Sequence, residues 1–406
     1  MTPTTVPFAA PWIGDAEIRE VVAALESDWL TTGPRTRRFQ DAFARRVDAP
    51  AAAAVSSGTA ALHLGLLATG VRPGDRVITT PMTFCSTVRV IDQCGATPVL
   101  VDVQPDTLNI DPARVAEVLE RDASPDDGPI TAILPVHYAG HPVELAPLMQ
   151  LAAEHDLAVV EDAAHAFPAA HQGRPIGSID PARRHAVAFS FYATKNLTTG
   201  EGGMLTGAPD VVDEARIRSL HGMSRGAWRR YELHDGGGDG SDRESPWYYE
   251  VIRAGFKYNM TDVAAALGLQ QLERSDDFAQ RRAAIAAAYT QAFADEPALQ
   301  APTVRGDVDH AWHLYVLRLH TERLTISRNV FIKEMGVRGI GTSVHFIPIH
   351  LHPYFADRFG LAPHDHPIAV GQYQRCLSLP IYPRMSDDDV GRVIDAVLDI
   401  VAQSRR

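Results

Sequence analysis

The chain has 406 residues, 45% of them hydrophobic and 22% charged, with a formal net charge of -12. It is long enough for one large core and a smaller one, and too acidic for general affinity to nucleic acid or anionic membrane. Cys85, Cys94 and Cys376 are odd in number and form no CxxC pair, which argues against a disulfide framework or structural zinc and makes core filler of all three. A basic-then-apolar leader and a run of about 18 apolar residues are both missing, so the expectation is a cytoplasmic protein without a membrane span.

Segments 15–26 and 38–47 read as amphipathic helices flanking Trp29-Leu30-Thr31-Thr32-Gly33-Pro34, whose Gly-Pro pair marks a turn. Between 51 and 207, strand-like runs (52–55, 76–80, 97–101, 130–135, 157–161, 187–190, 204–206) alternate with helix-like ones (59–68, 86–94, 112–120, 143–155). That rhythm predicts an α/β fold with a mostly parallel central sheet covered by helices. After a helix at 210–221, the stretch 223–247 contains GGGDGSDRES and has too few apolar side chains to fix one conformation. It reads equally as a substrate lid or a surface insertion. Helices follow at 261–274 and 276–294, then a small α+β unit with strands at 310–320 and 342–346 and helices at 327–335 and 387–402. The expected division is a large domain, 1–275, and a smaller C-terminal one, 276–406.

Three stretches carry chemistry. FSFYATKNLTTGEGGM, from Phe189 to Met204, holds Ser190 and Lys195 ahead of a Gly-rich run; a lysine amine of lowered pKa attacks carbonyls and forms Schiff bases. In LAVVEDAAHAF, Glu161 and Asp162 end a buried strand, where open α/β sheets place their ligands, with His165 three residues on. A carboxylate there can keep a pyridinium nitrogen protonated. Ser56-Ser57-Gly58-Thr59 leads a small-residue strand into a helix whose free N–H groups suit a phosphate. Each has a plainer alternative: a surface lysine, a solvated strand end, an ordinary helix start.

Taken together and in this order, these stretches resemble the pyridoxal-phosphate-dependent sugar aminotransferases of the DegT type. So do Trp29 to Pro34, Val136 to Gly140, GFKYNMTD (Gly255 to Asp262), HAWHLY (His310 to Tyr315), GIGTSVHF (Gly339 to Phe346) and CLSLPIYP (Cys376 to Pro383). The resemblance covers nearly the whole chain and is nearest the branch that aminates 4-keto nucleotide sugars, such as the UDP-4-amino-4-deoxy-L-arabinose aminotransferases. It implies the fold-type-I aminotransferase arrangement, with Lys195 and Asp162 as catalytic residues. It implies a cofactor set of Gly58, Thr59, Phe84, Asp162, His165, Ser190, Lys195 and Asn259. Phe84 would stack on the pyridine ring where that branch suggests Trp; read alone, it is a core side chain. Asn259 would reach the phosphate of the neighbouring subunit in a homodimer with shared sites, or else merely cap a helix. Thr32 and His345 are the substrate candidates.

The implied reaction is a ping-pong transamination from an amino acid, most plainly L-glutamate, to a keto group, at C4, of a nucleotide-activated sugar. An aminocyclitol or other ketone aminotransferase shares every cofactor residue, and a noncatalytic regulator or binding module on the same fold stays open. No GxGxxG follows a strand and opens a helix, which disfavours NAD. His345, His350, His352, His364 and His366 show no HExxH spacing, and Pro348 and Pro353 interrupt them, so no metal site is expected.

Overall fold

The computed structural model describes residues 5–122, 128–224 and 248–406. Its centre is a seven-stranded sheet of β1 (Ala51–Val55), β2 (Arg76–Thr79), β3 (Thr97–Leu100), β4 (Ile130–Ile133), β5 (Ala158–Asp162), β8 (His185–Ser190) and β9 (Gly203–Gly207), in the order β1-β9-β8-β5-β4-β2-β3. Only β9 runs against its neighbours; the pairs β8–β5, β5–β4, β4–β2 and β2–β3 are parallel. Because β1 and β8 both oppose β9, β1 points the same way as the parallel strands. The carboxyl ends of β1, β2, β4, β5 and β8 therefore open along one edge, where an open α/β sheet binds its ligands.

Local chemistry explains the elements. All five residues of β5, AVVED, are buried, as expected for a central strand covered on both faces. Helix α1 spans Asp15–Leu25. Helix α2 (Pro34–Arg46) starts four residues earlier than its apolar spacing suggests, with Pro34 at its first position, where a missing N–H costs nothing. The carboxylate of Asp262, 229 residues away, accepts from the N–H of Gly33 at 2.8 Å, of Arg35 at 3.0 Å and of Thr36 at 2.9 Å. Phe39 and Phe43 of α2 then bury against Phe191 and Phe189, with Phe43 and Phe189 rings edge-on at 5.0 Å.

A second, three-stranded sheet, β10-β12-β13, joins Leu299–Gln300, Tyr315–Leu319 and Cys376–Leu379. Its core holds Tyr289 and Phe293 of the helix Ser275–Phe293 against Tyr315, and the helix Asp387–Ser404 covers it with Val390, Val393, Val397, Ile400 and Val401. A third sheet places β6 (Ala170–His171) between β11 (Val308–Asp309) and β7 (Arg174–Pro175).

The expected strands at 310–320 and 342–346 need correction. The first forms only over Tyr315–Leu319, because Trp312 turns the chain with φ 49°. The second makes a single bridge, Ser343 to Ser378, beyond which the chain leaves the sheet and brings His345 and Phe346 to the site below. Of the cysteines, Cys94 and Cys376 are core residues but Cys85 is exposed, being the first residue of α4 (Cys85–Gln93). Met223 bridges Val251, while 225–247, the bulk of the expected lid or insertion, lies outside the described residues. No helix among the described residues is long and apolar enough to cross a membrane.

Candidate active site

The strand ends converge on a cavity of about 370 Å³. Gly58, Thr59, Phe84, Asp162, His165, Ser190, Lys195 and His345 all line it. Helix α3 (Gly58–Ala68) enters from β1, its N-terminus fixed by Ser57, whose hydroxyl accepts from Ala60 N–H at 3.0 Å. A Cβ on Gly58 would lie 2.7 Å from Ser190 Cβ, so only glycine lets the helix N-terminus come this close to the end of β8. The result is a small anion cradle of backbone N–H groups and the Ser57, Thr59 and Ser190 hydroxyls.

Strand alternation sends the two carboxyls of β5 to opposite faces. Asp162 faces the cavity, accepting from Thr87 Oγ1 at 2.8 Å and from Ala164 N–H at 3.1 Å. Burial raises its carboxyl above the ordinary range, and these bonds, with the charge of Lys195, offset only part of that. Glu161 faces away and meets two histidines. His137 Nδ1 accepts from Val143 N–H at 3.1 Å and His185 Nδ1 from Asp180 N–H at 3.0 Å. Each ring must therefore carry its proton on Nε2, and both Nε2–H groups donate to Glu161, at 2.7 and 2.6 Å. Burial opposes the Glu161 charge, yet the two imidazole bonds prevail and hold the carboxyl at about 2.

Lys195 sits in the loop from β8 to β9, its N–H bonded to Tyr192 C=O at 2.8 Å. It keeps some area open to the cavity but lies deep enough that burial, against the pull of Asp162, lowers its amine to about 8. The surrounding imidazoles are neutral. Burial pushes His165 and His313 well below the usual range and His345 down to about 4, each further depressed by Lys195. His165 packs between His313 and Phe346, with ring centroids at 4.3 and 5.7 Å. Its Nδ1 is buried with no hydrogen-bond partner among the described residues.

Phe84 is not a core side chain: it is 58% exposed, in the cavity wall and 6.0 Å from Phe346. Asp162 is no solvated strand end, at 5% exposure. Thr32 and Asn259 join each other rather than this cavity. Asn259 Nδ2 donates to Thr32 Oγ1 at 2.7 Å, Thr32 Oγ1 donates to Met260 C=O at 2.5 Å, and Lys257 Nζ grips Asn259 Oδ1 at 2.7 Å. Thr83, Ser86, Tyr192, Glu201, His313 and Phe346 also line the cavity without having been singled out. His313 lies inside HAWHLY, Phe346 inside GIGTSVHF, and Tyr192 and Glu201 inside the Lys195 stretch, so membership of a quoted motif was the available signal; Thr83 and Ser86 carry no distinguishing pattern.

Residues 11–398 match the DegT/DnrJ/EryC1/StrS aminotransferase family. The chain belongs to that family. This family member is 48% identical over 398 residues to the spore coat polysaccharide biosynthesis protein SpsC of Bacillus subtilis, covering 98% of this chain and 97% of SpsC. Among solved structures it superposes on the pyridoxal phosphate and pyridoxamine phosphate forms of the putative sugar aminotransferase Spr1654 of Streptococcus pneumoniae, with TM-scores of 0.86 and 0.87 and 31% identity over 98% of this chain and 99% of that one. It also resembles Helicobacter pylori PseC, an aminotransferase of pseudoaminic acid biosynthesis, at TM-score 0.84 and 25% identity, over 98% of this chain and 100% of PseC. This DegT-family protein is thus a pyridoxal-phosphate-dependent sugar aminotransferase of fold type I. Its own residues fit that cofactor: a buried carboxyl, an amine of lowered pKa, an unpartnered buried imidazole nitrogen and a glycine cradle meet in one cavity.

Proposed function

We propose that the enzyme moves an amino group from L-glutamate to the C4 keto group of a nucleotide-activated sugar. The observation that carries this reading is the sharing of one cavity by Lys195 and Asp162, with the amine at about 8. At pH 7 roughly one amine in ten is then neutral, against fewer than one in a thousand for an ordinary lysine. Bound there, pyridoxal phosphate supplies an aldehyde carbon that links to amines and a ring that draws off the electron pair left when a proton departs.

The rest falls to the chain. Lys195 Nζ anchors the cofactor between turnovers, takes the proton from the donor's Cα, and gives one to the sugar carbon in the second half-reaction. Asp162, aimed by Thr87 and Ala164, holds the proton of the ring nitrogen. Gly58, Thr59 and Ser190 cradle the phosphate, Phe84 covers the ring and His165 lies beside it. Thr32 and His345 contact substrate. Asn259, outside the cavity of its own protomer, serves the neighbour's phosphate in a homodimer. The relationship to SpsC, named for polysaccharide biosynthesis, favours a sugar over another ketone. We place the enzyme in the cytoplasm and the boundary between its two domains at 275/276.

The test is an absorbance spectrum of the purified holoenzyme. L-glutamate should collapse the visible band of the lysine-bound cofactor, and a keto sugar nucleotide should restore it. A band that ignores glutamate removes the donor assignment. Restoration by a simple cyclic ketone but by no sugar nucleotide removes the acceptor assignment.

A further inference from the structure

The turn that presents Phe84 breaks a local rule. Phe84 stands just before α4, where serine, threonine, asparagine or aspartate is preferred as a helix cap, and no side chain caps this helix. Thr83, one residue earlier, is buried and carries a suitable hydroxyl, yet directs it elsewhere: its Oγ1 lies 2.7 Å from Oγ1 of Thr87, the third residue of α4. Thr87 is buried too, and its Oγ1 donates to Asp162 Oδ2 at 2.8 Å. Departures from local preference that bring no gain to the helix mark functional positions. Here the two hydroxyls join the turn that carries Phe84 to the carboxyl of β5.

The protons of this chain run one way. An ionised carboxylate only accepts, so the single proton of the Thr87 hydroxyl goes to Asp162. The contact between the two hydroxyls then has Thr83 as its donor. Burial raises the Asp162 carboxyl, and the Thr87 bond is the largest of the interactions that oppose this, ahead of Ala164 N–H and of the charges of Lys195 and His137. A hydroxyl that itself receives a hydrogen bond is a stronger donor, so Thr83 reinforces the bond to Asp162 without touching it. Thr87 N–H also bonds to Phe84 C=O, at 3.1 Å, so the residue that donates to Asp162 holds the backbone of Phe84 as well.

We propose that Thr83 and Thr87 form a directed hydroxyl chain that positions Asp162 and keeps the proton of the cofactor's ring nitrogen on the ring, an inference that rests on Asp162 as the partner of that nitrogen. A carboxylate and a pyridine nitrogen compete for one proton. Each donor to the carboxylate makes it the weaker base, so the proton stays on nitrogen and the ring keeps its demand for electrons. With the chain cut, desolvation of Asp162 meets less opposition and the carboxyl draws the proton away. No nearby histidine can replace the missing donor: His137 is engaged at both ring nitrogens, by Glu161 and by Val143 N–H. Thr83 and Thr87 are positioning residues, since their effect on the ring passes through Asp162.

Two ligands and three variants test it. The apoprotein is titrated with pyridoxal phosphate and with its 1-deaza analogue, which has C–H in place of the ring nitrogen and so offers Asp162 no proton to share. Binding is read by quenching of protein fluorescence. In Thr87→Val, which keeps the branched shape and removes the donor, the preference for pyridoxal phosphate over the analogue should fall by about tenfold, the worth of one hydrogen bond to a charged group. Thr87→Ser should retain the wild-type preference. Thr83→Val, which leaves Thr87 its proton but no donor behind it, should lower the preference by about twofold. Equal weakening of both ligands in Thr87→Val makes the hydroxyls mere packing and overturns the proposal, as does an unmoved preference. Should Thr87→Val not fold, Thr83→Val decides by the same ratio, a fall supporting the chain and an unmoved ratio overturning it. Failure of the underlying reading shows separately, as a wild-type apoprotein that binds the two ligands alike.

Discussion

Glu161 and Asp162 are adjacent on one strand, both buried, and their carboxyls are displaced in opposite directions: Glu161 falls to about 2 while Asp162 rises. The difference lies in partners. Two imidazole N–H groups donate to Glu161, whereas Asp162 receives one hydroxyl and one amide, too little to offset its desolvation.

Glu161→Gln should be destabilising, because two Nε2–H donors then compete for one amide oxygen. The expected loss is on the order of 3 kcal/mol at pH 7. A carboxyl whose folded pKa is depressed stabilises above its unfolded value near 4.3 and loses that contribution as pH falls through about 2. The deficit of the variant should therefore shrink between pH 4 and pH 2, as read by urea unfolding of both proteins across that window. A deficit independent of pH would contradict the ionised state of Glu161.

Lys195→Ala should abolish turnover and yet stabilise the apoprotein. The folded amine sits at about 8 against roughly 10.4 when unfolded, so folding works against its charge at every pH below 8. The gain, on the order of 3 kcal/mol at pH 7 as an upper bound, should vanish as pH rises from 8 to 10.4. Urea melts of both apoproteins at pH 7 and pH 10.4 provide the comparison.

Gly58→Ala places a methyl 2.7 Å from Ser190 Cβ, which must push the N-terminus of α3 off the end of β8. Affinity for pyridoxal phosphate should weaken by roughly tenfold or more, measured by quenching of protein fluorescence. Binding at wild-type strength would take the phosphate away from this cradle.

Asn259→Ala and Lys195→Ala should complement each other. If Asn259 serves the neighbouring subunit, a mixed dimer holds one site with an intact lysine and an intact partner asparagine. Unfolding and refolding the two variants together should restore about a quarter of wild-type activity by statistical pairing. An Asn259 that serves its own subunit would restore nothing.

What the sequence revealed follows from how local each feature is. The seven strands and the helices between them were legible because buried β-branched runs and helical spacing are written in consecutive residues, as in AVVED. Lys195, Asp162 and Gly58 stood out because each has a chemical reason to follow a strand at the same sheet edge. The strand expected at 342–346 was not legible as a loop: Val344 and Phe346 alternate correctly, but they pack against the apolar cluster of Tyr138, Leu314 and Cys376 rather than in a ladder. Nor could spacing reveal that Asp262 caps a helix begun 229 residues earlier, or that Asn196 holds His313, since such pairings exist only once the chain has folded.

The cavity is assembled from two lengths of chain that are made at different times. Its floor, with Asp162, Ser190 and Lys195, is complete once β9 ends at Gly207, whereas His313, His345 and Phe346 are more than a hundred residues downstream. The burial that lowers the Lys195 amine therefore draws on walls from both lengths of chain, and the amine reaches its final surroundings only when the downstream wall of His313, His345 and Phe346 has closed over the floor.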